Sequence, residues 1–287
     1  MGFFGGYDKP GKGVTEEDLN KKGIALYFDI LIRRFWKLVG LNMMYLVASI
    51  PALFISWGVS AFLLAFLQSS IGNVLPTDAL LVMQMFTTGV FFLFTGSGAA
   101  SVGMSYVIRK YVNDTHAWVW SDFFDSFKSN FLQGTIIYII NLFVLTAISI
   151  SLIFYNFLMT GIMATVLSSV LLVASVIFIM MQMYIYPLEA CFKLKIKDVY
   201  RNAMLLTLGK LPWNILAFAV TVVFISVLSY IISEAYAIFI IIMVLYSFAV
   251  YTQIFMTNNI VKKYVEEPAL EMEKTKSESE EDVSEDE

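Results

Sequence analysis

The sequence predicts an all-α fold: a polytopic transmembrane helical bundle of six spans, N-in/C-in, with amphipathic helices along the cytoplasmic face. Two observations carry that expectation. Six long apolar stretches contain no Lys, Arg, Asp or Glu, and each has about the 20 residues needed to cross roughly 30 Å of hydrocarbon. All nineteen Lys and Arg fall in segments on one side of the resulting topology: seven before the first span, three between the second and third, five between the fourth and fifth, and four after the sixth. Basic residues flanking spans are retained in the cytoplasm, so the bias sets orientation as well as number. Composition agrees, since a chain of 287 residues that is 59% hydrophobic and 15% charged is too apolar for a soluble globular domain.

Residues 1–23 are Gly-rich and charged and read as a flexible cytoplasmic N-terminus. Ile24, Tyr27, Phe28, Leu31 and Phe35 then recur at helical spacing, followed closely by Lys37, which predicts an interfacial helix leading into the membrane. Residues 24–264 form the expected six-span domain. Span one covers about 38–67 and is interrupted by Pro51, and span two covers about 80–106 and closes with Arg109 and Lys110. In the connection 113–130, Ser121 or Asp122 suits the N-cap of a short helix with Phe123, Phe124 and Phe127 on its apolar side. Span three runs about 131–155 and span four about 162–186, where Pro187 ends it. A basic amphipathic connection over 188–211 leads to span five (about 213–232), a tight turn at Glu234 and span six (about 237–258). An amphipathic helix followed by a membrane hairpin thus occurs three times, at 24–110, 118–186 and 189–263, with Asn42, Asn130 and Asn214 at the entries to the odd spans.

Residues 265–287 carry eleven acids against two lysines and read as an acidic disordered tail. The remaining body has a net charge of +5. That is the signature of contact with an anionic inner leaflet and a poor argument for nucleic acid. The bilayer is the expected partner, and the bacterial cytoplasmic (inner) membrane the expected location.

The motifs carry little chemistry. Gly6 to Gly13 mimics a phosphate loop, but Gly13 stands where Ser or Thr must hold Mg²⁺, so no nucleotide is expected. With one Cys (Cys191) and one His (His116), a Cys/His zinc site is excluded. No charge lies within the predicted spans. Their polar residues Asn42, Gln84, Asn141, Gln182 and Gln253 are neutral, suited to hydrogen bonds between helices or to contact with a neutral solute. The run Thr95 to Gly103 is rich in small residues, with Gly98 and Gly103 suited to close helix packing or to solute contact. Gly also lowers helix stability, which leaves a break there open. His116 lies beside Trp118, Trp120 and Asp122 and reads as part of an aromatic interface anchor. Trp118, Trp120 and Phe124 are the candidate partner-binding residues, and no catalytic, cofactor-binding or metal-binding residue is expected.

The stretch Arg109-Lys110-Tyr111-Val112-Asn113-Asp114-Thr115-His116-Ala117-Trp118-Val119-Trp120-Ser121-Asp122-Phe123, with Phe127-Lys128-Ser129-Asn130-Phe131, resembles a signature of the YesL-like family of bacterial integral membrane proteins of unassigned function. Gly2 to Val14 and Phe35-Trp36-Lys37-Leu38 with Leu41-Asn42 resemble it too. Where that family commonly has Gly-Pro-Ala, this chain has Gly98-Ala99-Ala100, and the absent Pro argues against a special kink. The resemblance implies association with carbohydrate ABC importers and their regulators, and supplies no catalytic residues. Two functions are therefore expected in order. The first is a non-enzymatic accessory membrane protein linked to carbohydrate uptake or its regulation, partnered by ABC importer subunits or by copies of itself. The alternative is a permease or membrane substrate-binding subunit for a neutral solute.

Overall fold

Long apolar runs satisfy their backbone polar groups internally by forming helices, the arrangement a bilayer requires. The structure, a computed structural model, describes residues 23–72, 77–192, 194–231 and 235–271, and every regular element among them is helical. The phosphate-loop mimic, the N-terminal segment 1–22, the Glu234 turn and the tail beyond 271 lie outside the described residues.

The chain divides into two compact units, residues 1–35 and 36–287. In the first, the described residues open helix α1 (Ile24–Ala48), with Asp29 and Arg33 paired at 3.5 Å one turn apart. Ile24, Phe28 and Phe35 of its apolar stripe are exposed. The second unit holds the rest of α1 and nine further helices: α2 (Ile50–Ile71), α3 (Thr77–Thr95), α4 (Ala99–Val112), α5 (Val119–Ser129), α6 (Phe131–Ile153), α7 (Ile162–Cys191), α8 (Ile196–Gly209), α9 (Leu211–Ile231) and α10 (Ala235–Val261). A π-helical turn, Phe154–Leu158, extends α6.

Helix α4 is the centre of this unit, packed against α5, α6, α7 and α10. Twelve of its fourteen residues are buried, so it is enclosed all round rather than lipid-facing on one side. Small residues make that enclosure feasible. A Cβ on Gly103 would stand 2.8 Å from the Phe123 carbonyl oxygen of α5, and one on Gly134 of α6 would stand 2.8 Å from the Ala99 nitrogen.

Several expectations are corrected. Span one is divided at Ser49, two residues before Pro51, which sits in the first turn of α2. Proline is tolerated there because first-turn N–H groups have no helical acceptor. Hydrogen bonds from Ser49 N to Tyr45 O and from Leu53 N to Ser49 O carry the chain across the break. Span two is divided at Gly96–Gly98 without any proline. Pro187, expected to end span four, lies inside α7, which runs on to Cys191 and so includes Glu189. The α5 N-cap is Trp118, earlier than Ser121 or Asp122, and Asp122 instead reaches back to accept the Trp118 N–H at 2.9 Å. The first residues of the expected disordered tail continue from α10 through a second π-helical turn, Lys262–Glu266, and remain helical to residue 271.

Among the described residues, three helical segments are long and apolar enough to cross a membrane: Ile50–Ser70, Phe131–Leu158 and Ile162–Cys191. A fourth is added if Ile196–Gly209 and Leu211–Thr221, which meet at 95°, are taken as one broken span. Span two is shared between α3, nineteen residues long, and α4, fourteen residues long.

The threefold pattern is present in part. At two entries a short helix turns into a long one across a single residue, Asn130 between α5 and α6 and Lys210 between α8 and α9. Asn130 donates to the Ser126 carbonyl at 3.0 Å, and Asn214 donates to the Leu206 and Thr207 carbonyls, both at 3.0 Å. Each amide satisfies carbonyls that the ending helix leaves without partners. The first entry differs, since α1 passes unbroken through Asn42.

Candidate functional site

The site is built around the break between α3 and α4. Gly96 and Gly98 take φ of +68° and +63°, a region that glycine enters without the steric penalty of a side chain. Ending α3 at Thr95 frees carbonyls that would otherwise bond within the helix. The Tyr186 hydroxyl of α7 donates to the Thr95 carbonyl, and the Asn141 amide of α6 lies 3.5 Å from it. Tyr186 fits because residue 96 has no side chain: a Cβ there would meet its ring at 2.5 Å.

A neutral hydrogen-bond network extends from this point. Asn141 donates to Gln182 Oε1 at 2.9 Å and accepts from the Tyr200 hydroxyl at 2.7 Å. On the other side of the break, the Ser97 N–H donates to Ser101 Oγ at 2.9 Å, and Ser49 Oγ stands 2.7 Å from Ser97 Oγ. The two chain interruptions, at Ser49 and at Gly96–Gly98, are thus bonded to each other.

Beside the break lies a cavity of about 110 Å³ between α3, α4, α7, α9 and α10. Ser101, Ser105, Gln182, Tyr186, Thr221, Tyr246 and Gln253 supply its polar lining, and the remainder is mostly apolar, with no charged side chain in the wall among the described residues. Nearby, Glu189 is 3% exposed, and neither carboxylate oxygen has a hydrogen-bond partner among the described residues.

The sequence candidates separate into two groups. Asn42 is buried and accepts the Ser247 N–H at 3.1 Å, tying α1 to α10. Gln84 donates to the Trp57 carbonyl at 3.0 Å and to Ser60 Oγ at 2.8 Å, tying α3 to α2. Gly98 faces the backbone of Gly134, and Gly103 faces Phe123. All four make helix-to-helix contacts, and none of them lines the cavity.

Trp118, Trp120 and Phe124 form the other group, on α5. Trp118 and Trp120 are 71% and 69% exposed, and the Phe124 ring packs on Trp120 at 4.9 Å. His116 stands against Trp118 at 5.0 Å. The helix that carries them is firmly held. Phe123 is fully buried under Gly103, and full burial of such a side chain contributes about 1.5–3 kcal/mol. Lys110 of α4 pairs with Asp122 at 3.0 Å. Loss of hydration lowers the Lys110 pKa, but the Asp122 carboxylate and Tyr106 together outweigh this and hold it above the ordinary lysine value.

A second ion pair lies where α10 ends. Arg109, with its side chain 7% exposed, donates to Glu266 at 2.7 Å and lies over the Phe192 ring at 5.0 Å. Among the described residues no group of three His, Cys, Asp or Glu could hold a metal ion.

Sequence reasoning missed Gly134, Tyr186 and Tyr200, and weighed Glu189 only as a carboxylate of the inner interface, outside the spans. Gly134 carried a usable signal, a lone glycine inside an apolar run. The tyrosines carried none, because their hydroxyls act across the bundle.

Residues 77–156 match the family described as "Protein of unknown function, DUF624", which is the YesL-like family. That segment runs from the start of α3 to the π-helical turn after α6 and so contains the break, the central helix and α5. No curated protein and no solved structure matches the chain.

Proposed function

We propose that this chain is a non-enzymatic accessory protein of the bacterial cytoplasmic membrane, serving carbohydrate uptake or its regulation through contacts with ABC importer subunits. In this reading it crosses the membrane six times with both ends inside, counting the broken α3–α4 pair as one crossing. The lysine and arginine distribution supports that topology. The importer link rests on the resemblance carried by Arg109 to Phe131.

One observation carries the partner reading: α5 is rigidly docked on the central helix while presenting Trp118 and Trp120 outward. Exposed aromatics on a rigid element are the residues that most often anchor protein interfaces. A helix anchored by a buried Phe and an ion pair loses little entropy on binding.

The test is co-purification of the tagged protein from its own membrane in mild detergent. Importer subunits in fixed ratio are expected, and Trp118→Ala with Trp120→Ala should release them, as should Phe124→Ala or deletion of 265–287. Recovery of the protein alone, or of the same set with every variant, would remove the proposal.

The permease reading has a specific observation in its favour, an interrupted helix beside a cavity, which is how many transporters build solute sites. Against it, about 110 Å³ is less than the roughly 150 Å³ that accommodates benzene, and so is too small for a sugar in this conformation.

A further inference from the structure

The cavity beside the helix break holds polar groups that the bundle does not use. Ser105 on α4 is 3% exposed and lines the cavity. Its hydroxyl has no hydrogen-bond partner among the described residues, unlike Ser101 one turn earlier, which serves Ser97. Gln253 of α10 lines the same space, and its side-chain amide is likewise unbonded among the described residues, although its backbone carbonyl accepts from Thr257. Thr221, by contrast, donates to the Ala217 carbonyl within α9. Ser105 is buried but its hydroxyl opens onto the cavity, and the half-buried Gln253 faces the same space, so both groups are free to bond to whatever occupies it.

The rest of the wall defines that occupant. Phe94, Met104, Met183, Phe218 and Ile254 offer an apolar surface. With no charged side chain in the wall among the described residues, an ion would enter without a counter-charge, which is prohibitively costly in an apolar interior. The volume limits the occupant to about the size of benzene, roughly six heavy atoms. Ser105 and Gln253 each offer both a donor and an acceptor.

We propose that this cavity is a binding site for a small uncharged amphiphile with one hydrogen-bonding head, an alcohol or primary amide, held at its head by Ser105 and Gln253 and at its tail by Met104, Met183 and Phe218. The site is independent of the α5 surface, so either assignment stands without the other. Met104 and Met183 report on occupancy directly, because thioether methyl groups in the wall sense any molecule placed against them.

The experiment uses the full chain in detergent, with methionine methyl groups labelled with ¹³C and assigned by single Met→Leu substitutions. Butanamide and 1-butanol are titrated, with butanoate and butylammonium as charged counterparts of similar size. Saturable shifts at Met104 and Met183 are expected with the two neutral probes alone. Gln253→Leu should weaken butanamide by about tenfold, the cost of one lost hydrogen bond to a buried head, and Ser105→Leu should abolish binding by filling the space. If Ser105→Leu does not fold, the wild-type titration still decides. Absence of shifts, equal shifts with butanoate, or binding that perturbs other methionines while sparing these two would overturn the assignment. So would unchanged affinity in a folded Gln253→Leu variant, which would mean that Gln253 does not hold the head of the bound molecule.

Discussion

Replacing Gly134 by Ala puts a methyl group where α6 touches the break between α3 and α4. The new carbon would stand 2.8 Å from the Ala99 nitrogen, 3.0 Å from Ala99 Cα and 3.1 Å from the Gly98 carbonyl carbon. Ordinary carbon contacts lie at about 3.5–4.0 Å, so the helices must part by some tenths of an ångström. All three atoms are backbone, so no side chain can swing aside. Overpacking of this kind costs about 1–3 kcal/mol, and the helix preference of Ala over Gly returns about 0.5–1 kcal/mol. A net loss of about 1–2 kcal/mol is therefore expected, read as a lower midpoint of thermal unfolding in mild detergent. Gly58 in α2 is the matched control, since nothing lies within 4 Å of a Cβ there. Gly58→Ala should leave the midpoint unchanged or raise it. A Gly134→Ala protein as stable as Gly58→Ala would refute the close approach at the break.

Other perturbations follow from the same contacts. Asn214→Leu removes the donor to two helix-end carbonyls and the acceptor of the Tyr184 hydroxyl at 2.5 Å. It should cost about 2–4 kcal/mol in chemical or thermal unfolding, and a loss under about 0.5 kcal/mol would show the bend to be held otherwise. Glu189→Met replaces a buried carboxylate whose two oxygens lack partners among the described residues by a side chain of similar size. It should raise the unfolding midpoint, and a lowered one would mean the carboxylate has a stabilising partner. Lys110→Met should loosen α5, measured as faster amide exchange over 119–129. Because the Lys110 pKa is raised, the contribution of its pair is complete at neutral pH and is lost only as pH rises past that raised value, so protection of α5 should be flat from pH 6 to 8. A decline across that range would assign the docking to another group.

How far the fold can be read from the sequence depends on which interactions fix each feature. The helices followed from hydropathy because a bilayer leaves apolar segments no other way to satisfy their backbone. Interruptions were harder. Pro51 marked the right turn but not the right residue, since proline is comfortable in a first turn and the break falls before it. Pro187 marked no end at all. A helix packed on both sides can absorb the loss of one hydrogen bond, and Phe192 N still donates to the Leu188 carbonyl at 3.0 Å. Ending that span at residue 186 is also what put Glu189 in a connection rather than in the helix that holds it. Gly96 and Gly98 supplied the conformational freedom for a break, but the reason for it lies in Tyr186, ninety residues away. The seven candidate residues were picked as polar, small or aromatic, which identifies residues that make contacts but not the contacts they make. Four proved to join helices, and the cavity is lined instead by residues such as Ser105, Gln182 and Gln253, of which Gln182 and Gln253 had been distinguished as polar residues in spans.

The most direct test of the partner reading places a photoreactive phenylalanine analogue at position 120 of the full chain in its native membrane. The account predicts one discrete adduct with another protein, identified by mass spectrometry as an importer subunit and lost when the analogue is moved to the buried position 123. Adducts with lipid alone would contradict it and make Trp118 and Trp120 membrane anchors.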